Sequence, residues 1–427
     1  MPKRKGWRVL SFSLLLLLTA LLALCITQAG CEKASQHLLT TTTTTTTTTS
    51  PNGTTTTSPN GTTTSTTSPN GTTTTSITFS TTTTTIISGG KTYILQNVDY
   101  TGSRIGNIYT SIAMDKVDNT VAHISYYHRV NEDLRYAVGK PGSWSIETID
   151  NSGDVGLYTS IALDSNNKAH ISYYAPREPA LAYASGEAGS WAISIVDKSL
   201  VGDDLGYYTS IALDSNDQVH ICYYDWDNED LKYATNKNNS WQTEVIDGSG
   251  TNVGKYCSIA VDSNNKVHIS YYAETGKILK YAYGEYGSWQ TETIEINTDV
   301  GEYTSIATDS TDKPHIGYYD RGRGYLKYTT GGVGGPWFRT TVDSSGDVGQ
   351  FNAIALDSSD NPHISYYDAT NSNLKYAYKS GGMWTPTILD SGEDVGQDTS
   401  IAICCDDKVH LSYYDVGNNL LKYIYEQ

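Results

Sequence analysis

The chain is poor in the features that mark most other architectures. No stretch carries apolar residues at helical spacing over three turns, so a helical bundle or an alternating α/β domain is excluded. Six cysteines in 427 residues include no Cys-x-x-Cys pair and no zinc spacing. Cys25 and Cys31 fall in the N-terminal apolar segment. Cys222 and Cys257 replace a serine and a threonine of a repeated pattern, where the spacing of packed sheets predicts no bridge. Cys404 and Cys405 are adjacent, so a strand turns them to opposite faces. Basic residues are also scarce, 29 against 46 acidic, for a net charge of −17. Four of the 29 precede Cys31, and losing them with a cleaved leader takes the net to −21. A surface that acidic disfavours nucleic acid and anionic lipid as partners.

What is present falls into three parts. Residues 1–31 read as an export signal: Lys3, Arg4, Lys5 and Arg8, then an apolar run from Val9 to Ile26, then Thr27-Gln28-Ala29-Gly30-Cys31. The end resembles the lipobox of exported lipoproteins, which implies lipidation of Cys31; Gln28 departs from that pattern, where an aliphatic residue is usual. The alternatives are an uncleaved apolar anchor and ordinary cleavage. In either anchored case the basic flank stays inside and the remainder lies extracytoplasmic, held to the membrane only at this end.

Residues 32–90 read as a disordered stalk, mostly threonine from Leu39 to Ile87 and punctuated by three Ser-Pro-Asn-Gly units. Its apolar surface is too small to offset the entropy of ordering it. Its composition is that of O-glycosylated stalks. Asn52, Asn60 and Asn70 each begin an Asn-Gly-Thr sequon. As a coil it spans roughly 45 Å, and fully extended at most roughly 190 Å. It is a spacer.

Residues 91–427 are a repeat array. Tyr158-Thr-Ser-Ile-Ala-Leu-Asp164 followed by His170-Ile-Ser-Tyr-Tyr174 recurs seven times, with histidines at His123, His170, His220, His268, His315, His363 and His410. Each unit holds four short β segments separated by Gly/Asn/Asp/Ser clusters, as in Tyr158–Asp164, His170–Tyr174, Ala180–Ala184 and Trp191–Asp197. Four strands in under fifty residues is a propeller blade. The final unit lacks a fourth strand, and Lys91–Asp99 is a surplus one that aligns with Trp144–Asp150, with Tyr93 at the tryptophan position. The fold expected is therefore all-β: a seven-bladed β-propeller closed by its N-terminal strand, which removes exposed edges.

The Tyr-Thr-Ser-Ile-Ala…His-Ile-Ser-Tyr-Tyr-Asp pattern resembles bacterial and archaeal propellers of the sialidase (Asp-box) type. It is also similar to seven-bladed lectins built from Trp- and Tyr-rich repeats. The resemblance covers residues 91–427 and implies architecture; one such fold hosts unrelated functions. The Asp-box itself, Ser-x-Asp-x-Gly-x-Thr-Trp, is not matched at Asp164-Ser-Asn-Asn-Lys-Ala-His170, and sialidases use six blades.

Catalysis needs different groups converging on one atom, so residues identical in every blade read as structural. The histidines, the Tyr-Tyr pairs and the outer tryptophans (Trp144, Trp191, Trp241, Trp289, Trp337, Trp384) are assigned to packing and turn bonding, not to a metal. The breaks in the repeat are the candidate site. Arg104, Arg129, Arg177, Arg321 and Arg323 fall in loops expected to share one rim. Trp226, the only tryptophan outside the signal and the outer register, is flanked there by Asp225 and Asp227, a combination suited to sugar stacking. No cofactor is implied; Asp203-Asp204 and Glu393-Asp394 leave calcium open, although no loop has EF-hand spacing.

Two classes of function fit. The first is a monomeric, surface-anchored, non-catalytic module that binds a glycan or an envelope protein. The second is an extracytoplasmic glycoside hydrolase or lyase of sialidase-like propeller type, using loop carboxylates with the rim arginines. The chain carries no nucleophile–base motif, which favours the first. Cys31→Ser should abolish lipid labelling and release the protein from membranes. Retention on membranes with no label in the unsubstituted chain would instead indicate an uncleaved helix.

Overall fold

The computed structural model describes residues 40–44, 55–58, 61–67, 73–78, 82–88, 90–102, 106–199, 204–237, 240–248, 252–296 and 299–427. The signal segment with Cys31, the sequon residues Asn52, Asn60 and Asn70, and Arg104 and Asp203 lie outside them.

Seven antiparallel sheets of four strands each form the ring. In the second blade the strands are Leu157–Leu163, Ala169–Ala175, Ala180–Glu187 and Ser190–Lys198, from channel to periphery. The second strand is buried at every residue in all seven blades, because both of its faces pack on neighbouring sheets. That is why His-Ile-Ser-Tyr-Tyr lacks the polar alternation of a half-exposed strand. Apolar clusters form between blades: Leu134 and Tyr136 of the first blade pack with Ile161, Ile171 and Tyr173 of the second.

The ring closes as the sequence predicts. Lys91–Tyr100 is the outer strand of the seventh blade and pairs antiparallel with Leu420–Glu426, with Leu95 opposite Ile424. Tyr93 meets Tyr376 edge-on at 6.3 Å. In the other blades the outer tryptophan meets the preceding blade's third-strand tyrosine the same way, as Trp191 does Tyr136 at 5.0 Å.

Among the described residues, five strands fall within 32–90. Thr82–Ser88 adds a strand outside Lys91–Tyr100, and Thr40–Thr44 adds another beyond it. Thr55–Ser58, Gly61–Thr67 and Thr73–Thr78 form a separate three-stranded sheet. β-Branched threonine favours extended backbone. Ile86 anchors the added strand: it is buried against Tyr93 and Leu95, while Ile87 faces solvent.

Polar contacts between blades repeat with the fold. The first tyrosine of each Tyr-Tyr pair donates to the carboxylate ending the previous blade's outer strand, which also receives a third-strand cation. Asp390 accepts from Tyr413 at 2.7 Å and from Lys422 at 3.0 Å. The second blade has Ala182 where the others carry Arg or Lys, so Asp150 accepts from Tyr173 and Ser152 N without a third-strand cation. Near the channel, Thr159 Oγ1 donates to Ser125 Oγ at 3.0 Å, and four further interfaces repeat this bond. In the remaining two both partners change. Asn352 faces Gly317, where an added Cβ would lie 2.7 Å from Asn352 Oδ1. Cys257 faces Cys222, and both are buried free thiols. Sheet spacing therefore does not separate these two cysteines.

The histidines sit inside the blades. His268 Nδ1 lies 2.7 Å from Tyr281 Oη, and its Nε2 lies 3.2 Å from Asp262 at the preceding turn. Burial holds all seven repeat histidines below their usual pKa, His410 at about 4. In the unfolded chain they titrate near pH ~6.5.

Two outcomes follow from this architecture. Deleting Lys91–Asp99 should expose two long edges and produce aggregation or a large fall in melting temperature; a deletion variant melting like the parent would contradict closure by this strand. The depressed histidine pKa values mean that the unfolded chain binds more protons as pH falls from about 6.5. Stability should therefore be complete above that pH and drop steadily toward pH 4, with proton uptake on unfolding. His268→Gln should reduce that uptake by at most one proton, as measured by calorimetry across pH.

Candidate functional site

Each inner strand begins with a defect. In the second blade the ladder runs from Leu157 opposite Tyr174 directly to Ser160 opposite Ser172, leaving Tyr158 and Thr159 in a bulge. Five more blades show the same jump. The first bulged residue is left-handed in all seven blades: Tyr109, Tyr158, Tyr208, Tyr256, Tyr303, Phe351 and Asp398 have φ of 50° to 54°. Six of these are aromatic, for which that conformation is a genuine outlier. A bulge re-aims side chains. Here it turns one residue to the channel, while the next, such as Thr159, turns to the neighbouring blade. The result is a cup of about 220 Å³ at the channel mouth, lined by these seven residues and their successors.

The aromatic rings are spaced evenly. Neighbouring centroids lie 4.4 Å apart for Tyr109–Tyr158, 4.9 Å for Tyr158–Tyr208, 4.6 Å for Tyr208–Tyr256, and 4.7 Å for both Tyr256–Tyr303 and Tyr303–Phe351. Their planes differ by 44° to 53°, close to a seventh of a full turn. Rings this close cannot lie side by side in one plane, so they overlap obliquely like turbine vanes. Neighbouring hydroxyls touch: Tyr158 reaches Tyr109, and Tyr256 reaches Tyr208 and Tyr303. Burial raises the phenol pKa of Tyr303 to about 12 and those of the other four further. They are hydrogen-bonding groups at neutral pH, not ready bases.

Asp398 takes the seventh place. It is 8% exposed, and its Oδ2 accepts from Ile108 N at 2.7 Å and Tyr109 N at 3.0 Å. Burial raises its pKa to about 6 against the pull of those two amides and of the Arg129 guanidinium.

A second circle surrounds the cup. The second tyrosine of each pair reaches the next blade's entry loop: Tyr127 donates to Asp154 at 2.8 Å, Tyr272 to Asp299 at 2.6 Å, Tyr319 to Asp347 at 2.6 Å, Tyr367 to Asp394 at 2.7 Å, and Tyr174 to Asp204. The rim is therefore acidic nearly all round.

Of the sequence candidates, Trp226 is 46% exposed. Its ring lies 5.0 Å from Tyr207, which lies 4.3 Å from Tyr174 and 5.5 Å from Tyr158 of the cup. Lys255 Nζ sits 5.3 Å from the Trp226 ring. Asp227 is exposed, and one of its oxygens accepts from Asp204 N at 2.7 Å. Asp225 is not a free acceptor: it is 3% exposed and clamps its own loop through Asn228 N and Nδ2, as Asp368 and Asp415 do in theirs. Its position at the buried end of the second strand decides this.

Arg129 is buried, donates to the Gly106 carbonyl and acts electrostatically on Asp398. Arg177 donates to Ser152 O at 3.3 Å, Arg321 pairs with Glu302 at 3.0 Å, and Arg323 pairs with Asp320 at 3.0 Å. These three brace rim loops and do not converge with Trp226. Sequence reasoning missed the cup itself. Its signal was Asp398, where Gln397-Asp398-Thr399-Ser400 breaks the Tyr-Thr-Ser motif, and Tyr207, a second aromatic at one blade's entry. Among the described residues no group of three His, Cys, Asp or Glu is placed to hold a metal ion.

No protein-family model matches the chain, and no curated protein does. Solved structures match over most of the ring. An ulvan lyase bound to -[GlcA(1-4)Rha3S]- has 12% identity and a TM-score of 0.52, covering 76% of this chain and 95% of its own. The polysaccharide lyase Uly1 has 11% identity and a TM-score of 0.50, covering 77% and 91%. A leech intramolecular trans-sialidase has 11% identity and a TM-score of 0.41, covering 77% and 69%. At these identities the likeness is one of fold alone: the ring is similar in shape to the two lyases.

Proposed function

We propose that the propeller is an extracytoplasmic binding module, carried at the cell surface by its N-terminal segment, whose channel-mouth face recognises a glycan without turning it over. The observation that carries this reading is the continuous aromatic path from Tyr158 through Tyr207 to exposed Trp226. Sugar rings stack on such surfaces through their C–H faces, while carboxylates such as Asp227 and Asp204 accept hydroxyl protons. The acidic rim and the net charge of −17 argue against a polyanionic ligand. An envelope protein displaying an equivalent glycan fits the same face.

A catalytic reading draws on the two polysaccharide lyases among the similar folds. Proton abstraction next to a uronate needs a base poised near neutral pH and a cation on the carboxylate. The cup tyrosines are pushed the other way by burial; Asp398, at about 6, meets the first condition, but the cup wall includes no Lys or Arg to meet the second.

Screening the purified propeller on a glycan array, with turnover assays on every hit, separates the two. The binding reading predicts a hit that is retained unchanged. It also predicts that Trp226→Ala lowers affinity several-fold with melting temperature nearly constant, since one aromatic contact is worth about 0.5–1.5 kcal/mol beyond its area. Release of unsaturated or hydrolysed product, or a confirmed glycan bound equally well by Trp226→Ala and Tyr207→Ala, would contradict it.

A further inference from the structure

The fold does not require an aspartate at position 398, because five blades place tyrosine and one phenylalanine at the same left-handed residue. One of its oxygens is used structurally. Oδ2 caps Ile108 N and Tyr109 N, where the first blade's inner strand is shortened to Ser111–Met114. Oδ1 carries no hydrogen bond among the described residues, although the side chain is more than nine-tenths buried and lines the cup. Oδ1 is open to the cup rather than sealed, and a ligand that supplies charged donors gains a bond there.

The surroundings select the sign of that ligand. The cup wall holds Asp398, five phenol hydroxyls, the Phe351 ring and, behind them, five threonines with Cys257 and Asn352, and it has no basic side chain. Arg129, the cation nearest Asp398, is buried behind the wall on the Gly106 carbonyl. The other groups that interact with Asp398 are Tyr109, Tyr158, Tyr303 and Tyr414, all neutral phenols. Farther out, Lys255 and Arg321 are committed to Glu274 and Glu302. The surrounding circle of Asp154, Asp204, Asp299, Asp347 and Asp394 is acidic. A cleft of one sign concentrates ligands of the other.

We propose that the glycan received at the channel mouth bears a free protonated amine, which enters the cup and donates to Asp398 Oδ1 and to the tyrosine hydroxyl oxygens. This rests on the glycan-binding reading of the same face and narrows it to amino sugars that are not N-acylated. An ammonium offers three donors, matching one carboxylate oxygen and adjacent phenol oxygens. An N-acetyl group offers one donor, no charge and a larger volume. Asp398 ionises near pH 6, so the interaction is lost as pH falls through that value, where the amine stays charged, and is lost again at alkaline pH as the amine gives up its proton.

The test is calorimetric titration of the intact propeller with a glucosamine tetrasaccharide and its fully N-acetylated counterpart. At pH 7 the free-amine form should bind at least about tenfold tighter, as a charge-assisted contact implies. At pH 5 that preference should shrink to within about threefold. Asp398→Asn, which keeps an acceptor for Ile108 and Tyr109, should erase the preference at pH 7 and leave the N-acetylated form unchanged. Asp398→Tyr, which installs the residue type of five other blades, should do the same and covers a failure of the first variant to fold. Equal or tighter binding of the N-acetylated form, or a preference that survives either variant, overturns the proposal. If neither tetrasaccharide binds while another glycan does so in a Trp226-dependent way, the amine assignment falls and the glycan-binding reading stands. If no glycan binds at all, both fall.

Discussion

A left-handed residue at the start of each inner strand is the constraint on which the rest of this molecule turns. An L-residue held there costs about 1–2 kcal/mol, and the ring holds seven. The cost is offset because the bulge serves two purposes at once. Its first residue points down the channel and builds the cup. Its second points into the preceding blade and makes the Thr–Ser bond, or the Cys257–Cys222 or Asn352–Gly317 substitute for it. Cup geometry and blade docking are therefore a single mechanical unit. The seven-fold order of the blades is what sets the spacing and tilt of the aromatic vanes.

Outward from that unit, charge is buried in a consistent way. Each blade seats its neighbour through a tyrosine and, in six blades, a lysine or arginine on one carboxylate, as in Tyr413–Asp390–Lys422. Buried ion pairs of this kind contribute register more than stability, because desolvation cancels much of their attraction. Apolar packing between the all-buried second strands supplies the driving force, at roughly 25 cal/mol per Å² removed from water. Acidic residues beyond those needed for seating accumulate on the rim. That excess gives the mouth its sign.

The fold was legible in the sequence because a repeat magnifies every signal sevenfold. Strand positions in the second blade differ from expectation by no more than three residues at any end. Closure was legible in Lys91–Asp99, since an orphan strand can pair only with the unit that lacks one. The pairing of Thr82–Ser88 with the seventh blade was not, because its one buried apolar residue, Ile86, joins a cluster that also draws on Leu374 and Tyr376, more than 280 residues away. Asp225 was misread as exposed: loop sequence does not reveal that the second strand runs buried to its last residue. The cup was missed because a tyrosine before Thr-Ser-Ile-Ala looks like an ordinary strand residue. Only a bulge, invisible to alternation, turns it to the axis.

Where ligand sits is the claim on which the functional account depends. Hydroxyl-radical footprinting of the propeller, with and without a glycan identified by array, reads that position directly by mass spectrometry. The account predicts protection of Tyr158, Tyr207, Tyr208 and Trp226, with Trp191, Trp289 and Trp384 on the flank unchanged. Protection confined to the flank tryptophans, or to the Asp164–Lys168 type of turns at the opposite rim, would contradict it.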